Sequence, residues 1–127
     1  PLSQKKSPDV TRLKERIESH LKPWTRIAAK VDKPLEILEV GYKSTPSGVA
    51  KPYGWPQDLT EKQRKVDEKL QAKAYRALFS ALRDADRISS IYIWKYFTDP
   101  EDDERSGFSF SLRGKRAEHV IQKAYKR

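Results

Sequence analysis

Two short segments of this chain read as β-strands, residues 33–42 and 87–98, and the stretch that joins them carries a helix. A helical crossover makes the two strands parallel, because antiparallel neighbours need only a tight turn. Parallel sheets are buried on both faces, and two strands with their helices cannot cover a sheet alone. The expectation is therefore the end of a larger α/β fold, with strand edges and the apolar row of Ile91 and Ile93 partly uncovered. An isolated chain of this kind should be poorly stable, or associate with itself or with a missing partner piece.

Alternation along the first strand puts Leu35, Ile37 and Glu39 on one face and Glu36, Leu38 and Val40 on the other. Glu39 is last on its face, where Gly41 lets the backbone turn away. The carboxyl ends of parallel strands are where α/β proteins build active sites. Spacing alone leaves two readings open: an active-site carboxylate, or an ordinary strand that ends in a solvated glutamate. In the second strand Ile91 and Ile93 share one face, while Ser90, Tyr92, Trp94 and Tyr96 share the other. The apolar face suits a helix layer and the aromatic-polar face suits a lumen or a cleft.

The rest of the chain falls around these strands. Residues 7–31 carry a helical stripe of Val10, Leu13, Ile17, Leu21, Trp24, Ile27, Ala28 and Val31, with Pro23 expected to break or kink it near Leu21. Residues 42–59 are rich in Ser, Thr, Gly and Pro and show no periodicity; such long loops are often functional. This loop carries Tyr42, Tyr53 and Trp55, which would either stack on a sugar face or pack the loop down. Thr60 and Gln63 have the spacing of a capping box and open a helix that runs to about Asp84, with a stripe from Val66 through Leu70, Ala74, Ala77, Leu78 and Ala81 to Leu82. The acidic loop 99–104 lacks the glycine and spacing of a calcium loop and reads as a solvated charge run. Residues 107–112 are irregular and aromatic, and a last helix after Gly114 should bury Ala117, Val120, Ile121, Ala124 and Tyr125.

The 127 residues suit one segment or modest domain, 1–127, and 36% hydrophobic content is low for a self-contained one. Three tryptophans, six tyrosines and four phenylalanines argue against disorder. No run is long enough to cross a membrane, and the opening residues show no signal-peptide pattern. A chain that begins at Pro1 and has no methionine reads as processed, excised or incomplete. The absence of cysteine excludes disulfides and thiolate metal sites. A net charge of +9 raises the question of nucleic acid. The basic residues are interleaved with acids along the helices, with a local excess only at Arg113, Lys115, Arg116, Lys123, Lys126 and Arg127. Solvated helix faces account for most of this, and nucleic acid is not the expected partner.

Three stretches resemble one family. Leu38-Glu39-Val40-Gly41-Tyr42-Lys43-Ser44, followed by Ala50-Lys51-Pro52-Tyr53-Gly54-Trp55, is similar to the seventh strand and following loop of glycoside hydrolase family 113. That is the β-mannanase-like family within the clan of (β/α)8 glycoside hydrolases that use two glutamates. Ile91-Tyr92-Ile93-Trp94-Lys95-Tyr96-Phe97-Thr98-Asp99 is similar to its eighth strand. Gly107-Phe108-Ser109, with Arg113-Gly114-Lys115-Arg116-Ala117-Glu118-His119-Val120-Ile121, is similar to its closing loop and last helix. The resemblance implies a fold class of α/β, the last quarter or third of a TIM barrel. It also implies that Glu39 is the catalytic nucleophile and Trp94 the aromatic floor under the sugar, with Tyr42, Tyr53 and Trp55 lining the cleft. The clan's acid/base glutamate follows an asparagine on the fourth strand, and this chain has no asparagine.

The reading that follows is the carboxyl-terminal portion of a retaining glycoside hydrolase acting on a β-linked polysaccharide such as mannan. It needs no cofactor or metal, is inactive alone, and depends on a missing amino-terminal barrel portion for its acid/base. The alternative is a non-catalytic glycan- or nucleic-acid-binding module with a basic surface, which leaves a carboxylate at the end of a buried strand without a reason.

Overall fold

Asp9 starts the first helix, its carboxylate accepting a hydrogen bond from the Arg12 amide at 2.8 Å. The computed structural model describes Leu2, residues 8–98 and residues 107–126; the acidic loop 99–104 lies outside the described residues. Helix α1 (Val10–Lys30) buries Leu13, Ile17 and Ala28. Pro23 does not break it, contrary to expectation. Proline removes one donor to the carbonyl four residues back, here that of Ser19, and Ser19 is exposed, so water can take up the freed oxygen. The stripe also ends sooner than its spacing suggests: Trp24, Ile27 and Val31 are more than half exposed. None of the described elements covers that part of the helix.

Strand β1 (Leu35–Val40) pairs in parallel with β2 (Ile88–Ile93) in a two-stranded sheet. At the amino ends of the strands, Arg87 bonds Asp32 at 2.6 Å, and the Leu35 amide donates to the Arg87 carbonyl at 2.7 Å. Ile91 and Ile93 pack against the core, as does Val40, whereas Leu38 and Tyr92 stay exposed. The strict alternation expected of β1 fails at its end. Ile37 pairs with Ile91 and Val40 with Ile93, so three steps of β1 run beside two of β2. This irregularity shifts the phase of the side chains. Leu38 and Glu39 are both exposed, and Glu39 does not share the half-buried environment of Leu35 and Ile37.

Helix α2 (Glu68–Arg83) packs between α1 and α3 (Arg116–Tyr125) and supplies half of the buried core cluster, with Leu70, Ala72, Ala74, Tyr75, Ala77, Leu78 and Ala81. It starts later than the capping box predicts. Thr60 and Gln63 do form that box, but it closes only a single 3₁₀ turn, Glu61–Gln63. The cap of α2 is Asp67, whose carboxylate accepts from the Leu70 amide at 2.9 Å while its own amide donates to the Ser44 carbonyl at 2.7 Å. That tertiary bond fixes the entry to α2, and Val66 is left exposed outside it. In α3 only Ala117 is fully buried; Val120, Ile121 and Ala124 are half-buried. Tyr125, expected inside, lies exposed with its ring edge-on to Phe79 at 5.9 Å. No helix among the described residues is long and apolar enough to cross a membrane.

Candidate active site

The carboxyl ends of the two strands are drawn together by one backbone bond, from the Trp94 amide to the Val40 carbonyl at 2.8 Å. The close approach continues at Gly41. A Cβ there would lie 2.2 Å from the Trp94 carbonyl oxygen and 3.2 Å from the Phe110 ring. Glycine is needed here for space, and it sets Glu39 and Trp94 on neighbouring strand ends. The peptide bond that follows Trp94 is cis.

Beside these strand ends opens a cavity of about 710 Å³. Glu39, Tyr42, Tyr53, Trp55 and Trp94 all line it, so the five residues singled out in the sequence share one space. Their exposures differ. Tyr53 and Trp55 stand largely free on the loop wall, Trp94 is about a third exposed, and Tyr42 is buried. Tyr42 is held from below: its ring meets Tyr75 edge-on at 5.1 Å, and its carbonyl accepts from the Gln71 side-chain amide at 2.8 Å. Burial pushes the Tyr42 hydroxyl well above the usual tyrosine range, so it stays protonated. The wall thus has a buried root at Tyr42 and free aromatic faces at Tyr53 and Trp55.

Glu39 forms no hydrogen bond or ion pair with any described residue, and it is the one carboxylate among the described residues lining the cavity. Indole and phenol rings can meet the apolar C–H face of a sugar, and a free carboxylate beside them can attack an electrophilic carbon. A second carboxylate for proton transfer is not among those lining residues. Nor is there, among the described residues, a group of three His, Asp or Glu side chains able to hold a metal ion.

Leu2, His20, Pro52 and Phe110 also line the cavity, and none of them was among the site residues expected from sequence. His20 follows Ile17 by three and precedes Trp24 by four, the spacing of the helical stripe, although its own side chain is exposed. Phe110 had only its aromatic character to mark it. Behind the loop, a polar cluster joins the same region to the closing segment. Ser44 Oγ lies 2.6 Å from the Gly107 carbonyl, and the Lys115 ammonium donates to Ser44 Oγ at 3.2 Å and to Ser109 Oγ at 3.3 Å. Lys115, read from sequence as part of a solvated basic end, is buried.

A carboxylate between aromatic walls, at the carboxyl ends of parallel strands, is the layout of a carbohydrate-active α/β protein. Residues 6–115 match the model of Glycoside Hydrolase Family 113, and the chain belongs to that family. Solved structures agree. A family 113 β-1,4-mannanase is 26% identical with a TM-score of 0.63, over 95% of this chain and 37% of its own. The family 113 β-mannanase AaManA from Alicyclobacillus acidocaldarius, in complex with ManMIm, superposes with a TM-score of 0.71 over 95% of this chain and 36% of its own. At 24% identity it speaks for the fold. A complex of a family 113 β-1,4-mannanase is 26% identical with a TM-score of 0.62, over 93% of this chain and 35% of its own. The chain therefore spans about a third of the length of the solved structures it matches. None of the curated proteins matches.

Proposed function

We propose that this chain forms the last two β/α units, with the preceding helix, of a (β/α)8 barrel that hydrolyses β-linked polysaccharide, mannan in the first instance. Glu39 is the nucleophile in this reading. Its carboxylate attacks the anomeric carbon and forms a glycosyl ester as the bond to the leaving sugar breaks. A second carboxyl group, about 5–5.5 Å away in retaining enzymes, protonates the leaving oxygen and then activates the water that releases the sugar. That group belongs to the amino-terminal part of the barrel, so the chain alone is inactive. Trp94 forms the floor under the sugar whose bond is cleaved, and Tyr42, Tyr53 and Trp55 line the cleft around it.

The observation that carries this reading is the unpaired Glu39 carboxylate in a cavity walled by Trp94, Trp55 and Tyr53. The two family 113 β-1,4-mannanases at 26% identity support mannan as the substrate. The test is Glu39→Gln in a protein that carries both carboxylates, assayed on β-1,4-mannan. Glu39 is exposed, so folding survives, and turnover falls by several orders of magnitude because no ester can form. Glu39→Ala regains rate with added azide, whereas Glu36→Gln stays near wild type. Near-wild-type turnover in folded Glu39→Gln refutes the assignment.

A further inference from the structure

Lys43 is a charged side chain in a place that charge does not favour. It is 1% exposed, directly below the aromatic loop wall. No carboxylate among the described residues bonds it. Its ammonium donates to the Lys51 carbonyl at 2.8 Å and to the Gly54 carbonyl, and it sits 5.0 Å from the centre of the Phe110 ring. Burial lowers its pKa, with the more distant charge of Asp58 pulling the other way. A buried ammonium costs free energy unless its donors are satisfied, and an apolar side chain of the same length would avoid that cost. What the ammonium adds is direction.

The two carbonyls it holds bracket Pro52 and Tyr53, which line the cavity. The Lys51 carbonyl also accepts from the Gly54 amide at 3.2 Å, so Lys43 closes from beneath a turn that the backbone closes from above. Phe110, against which the ammonium rests, is also the ring that Trp55 meets edge-on at 6.4 Å. Both exposed aromatics of the loop wall, Tyr53 and Trp55, are thus hung on one buried cation at the end of β1.

We propose that Lys43 is a positioning residue that fixes the Tyr53–Trp55 wall of the cavity, and so sets affinity for the glycan that this wall contacts. This inference rests on the glycoside hydrolase reading of the site.

The test is Lys43→Met in a protein that carries both carboxylates, with two measurements. Hydrogen exchange of residues 51–59 should speed up by at least about tenfold while α2 keeps its protection, because the loop loses its tether and the core does not. For a β-1,4-manno-oligosaccharide KM should rise by about tenfold, well beyond any fall in kcat. Unchanged exchange in the loop overturns the proposal, as does a loss confined to kcat. If the unmutated protein cleaves no β-mannoside, the glycosidase reading fails, and the exchange experiment still decides whether Lys43 holds the wall. Should Lys43→Met not fold, the exposed pair Tyr53→Ala and Trp55→Ala tests the other end of the linkage. The same rise in KM supports the proposal, and its absence overturns it.

Discussion

Gly41→Ala adds a single methyl group at the point where the two strand ends meet. The added carbon would lie 2.2 Å from the Trp94 carbonyl oxygen. Carbon and oxygen come to rest at about 3.3 Å or more, so the two strand ends must part by about 1 Å. The obstacle is backbone, which cannot swing aside as a side chain does, and the Phe110 ring at 3.2 Å closes the other way out. Overpacking of this kind costs about 1–3 kcal/mol. Denaturant titration should show it as a lower midpoint with an unchanged slope, since one methyl group hardly alters the surface exposed on unfolding. The same displacement separates Glu39 from Trp94. A shift of about 1 Å at a reacting group is worth about 100-fold in rate, or about 2.7 kcal/mol of barrier, so in a protein that carries both carboxylates hydrolysis should fall by about that factor even where the fold is retained. Gly54→Ala is the control for stability alone, because its Cβ would meet nothing closer than 3.6 Å. Wild-type stability and turnover in Gly41→Ala would refute the close approach, and with it the view that Gly41 sets the spacing of the site.

The two caps should differ in weight. Asp67→Ala, which uncaps α2, should cost about 1 kcal/mol by denaturant titration, whereas Thr60→Ala, which loosens one exposed 3₁₀ turn, should cost less. The exposed pair Lys14–Asp84, at 2.6 Å, has a direction in pH. The bond from Lys14 holds the Asp84 carboxyl below its usual range, so its contribution is present above the unfolded value and is lost as pH falls through the lowered folded one; Asp84→Asn should flatten that acid limb in a melting series, and added salt should do the same. In a protein that carries both carboxylates, Trp94→Ala should weaken manno-oligosaccharide binding by calorimetry and slow turnover, with the fold retained because the ring is about a third exposed; unchanged affinity would remove Trp94 from the proposed floor of the site.

Much of the site could be read before any fold was seen, because its marks are local. Glu39, Gly41 and Trp94 stand out through a strand period, a turn residue and an aromatic face, each legible within a few positions. Their meeting in one cavity follows from the parallel pairing that a helical crossover imposes. Lys43 could not be read in this way. A lysine in a Gly- and Ser-rich loop looks solvated, and only the folding back of residues 51–54 surrounds it with carbonyls. The same holds for Lys115, which looked like part of a basic end and is buried among serine hydroxyls.

The sequence by itself determined the two strands, their parallel sense, the buried face of α2 and the carboxylate that closes β1, since periodicity and chain order depend on neighbours along the chain. Tertiary structure decided the rest. Thr60 and Asp67 are both competent caps, and the bond from the Asp67 amide to the Ser44 carbonyl made Asp67 the start of α2. The uneven pairing of Ile37 with Ile91 and Val40 with Ile93 turned Glu39 off the half-buried face that alternation assigned to it. Trp24, Ile27 and Val31 have the spacing of a core stripe and lie exposed, because burial belongs to whatever packs opposite, and none of the described elements does.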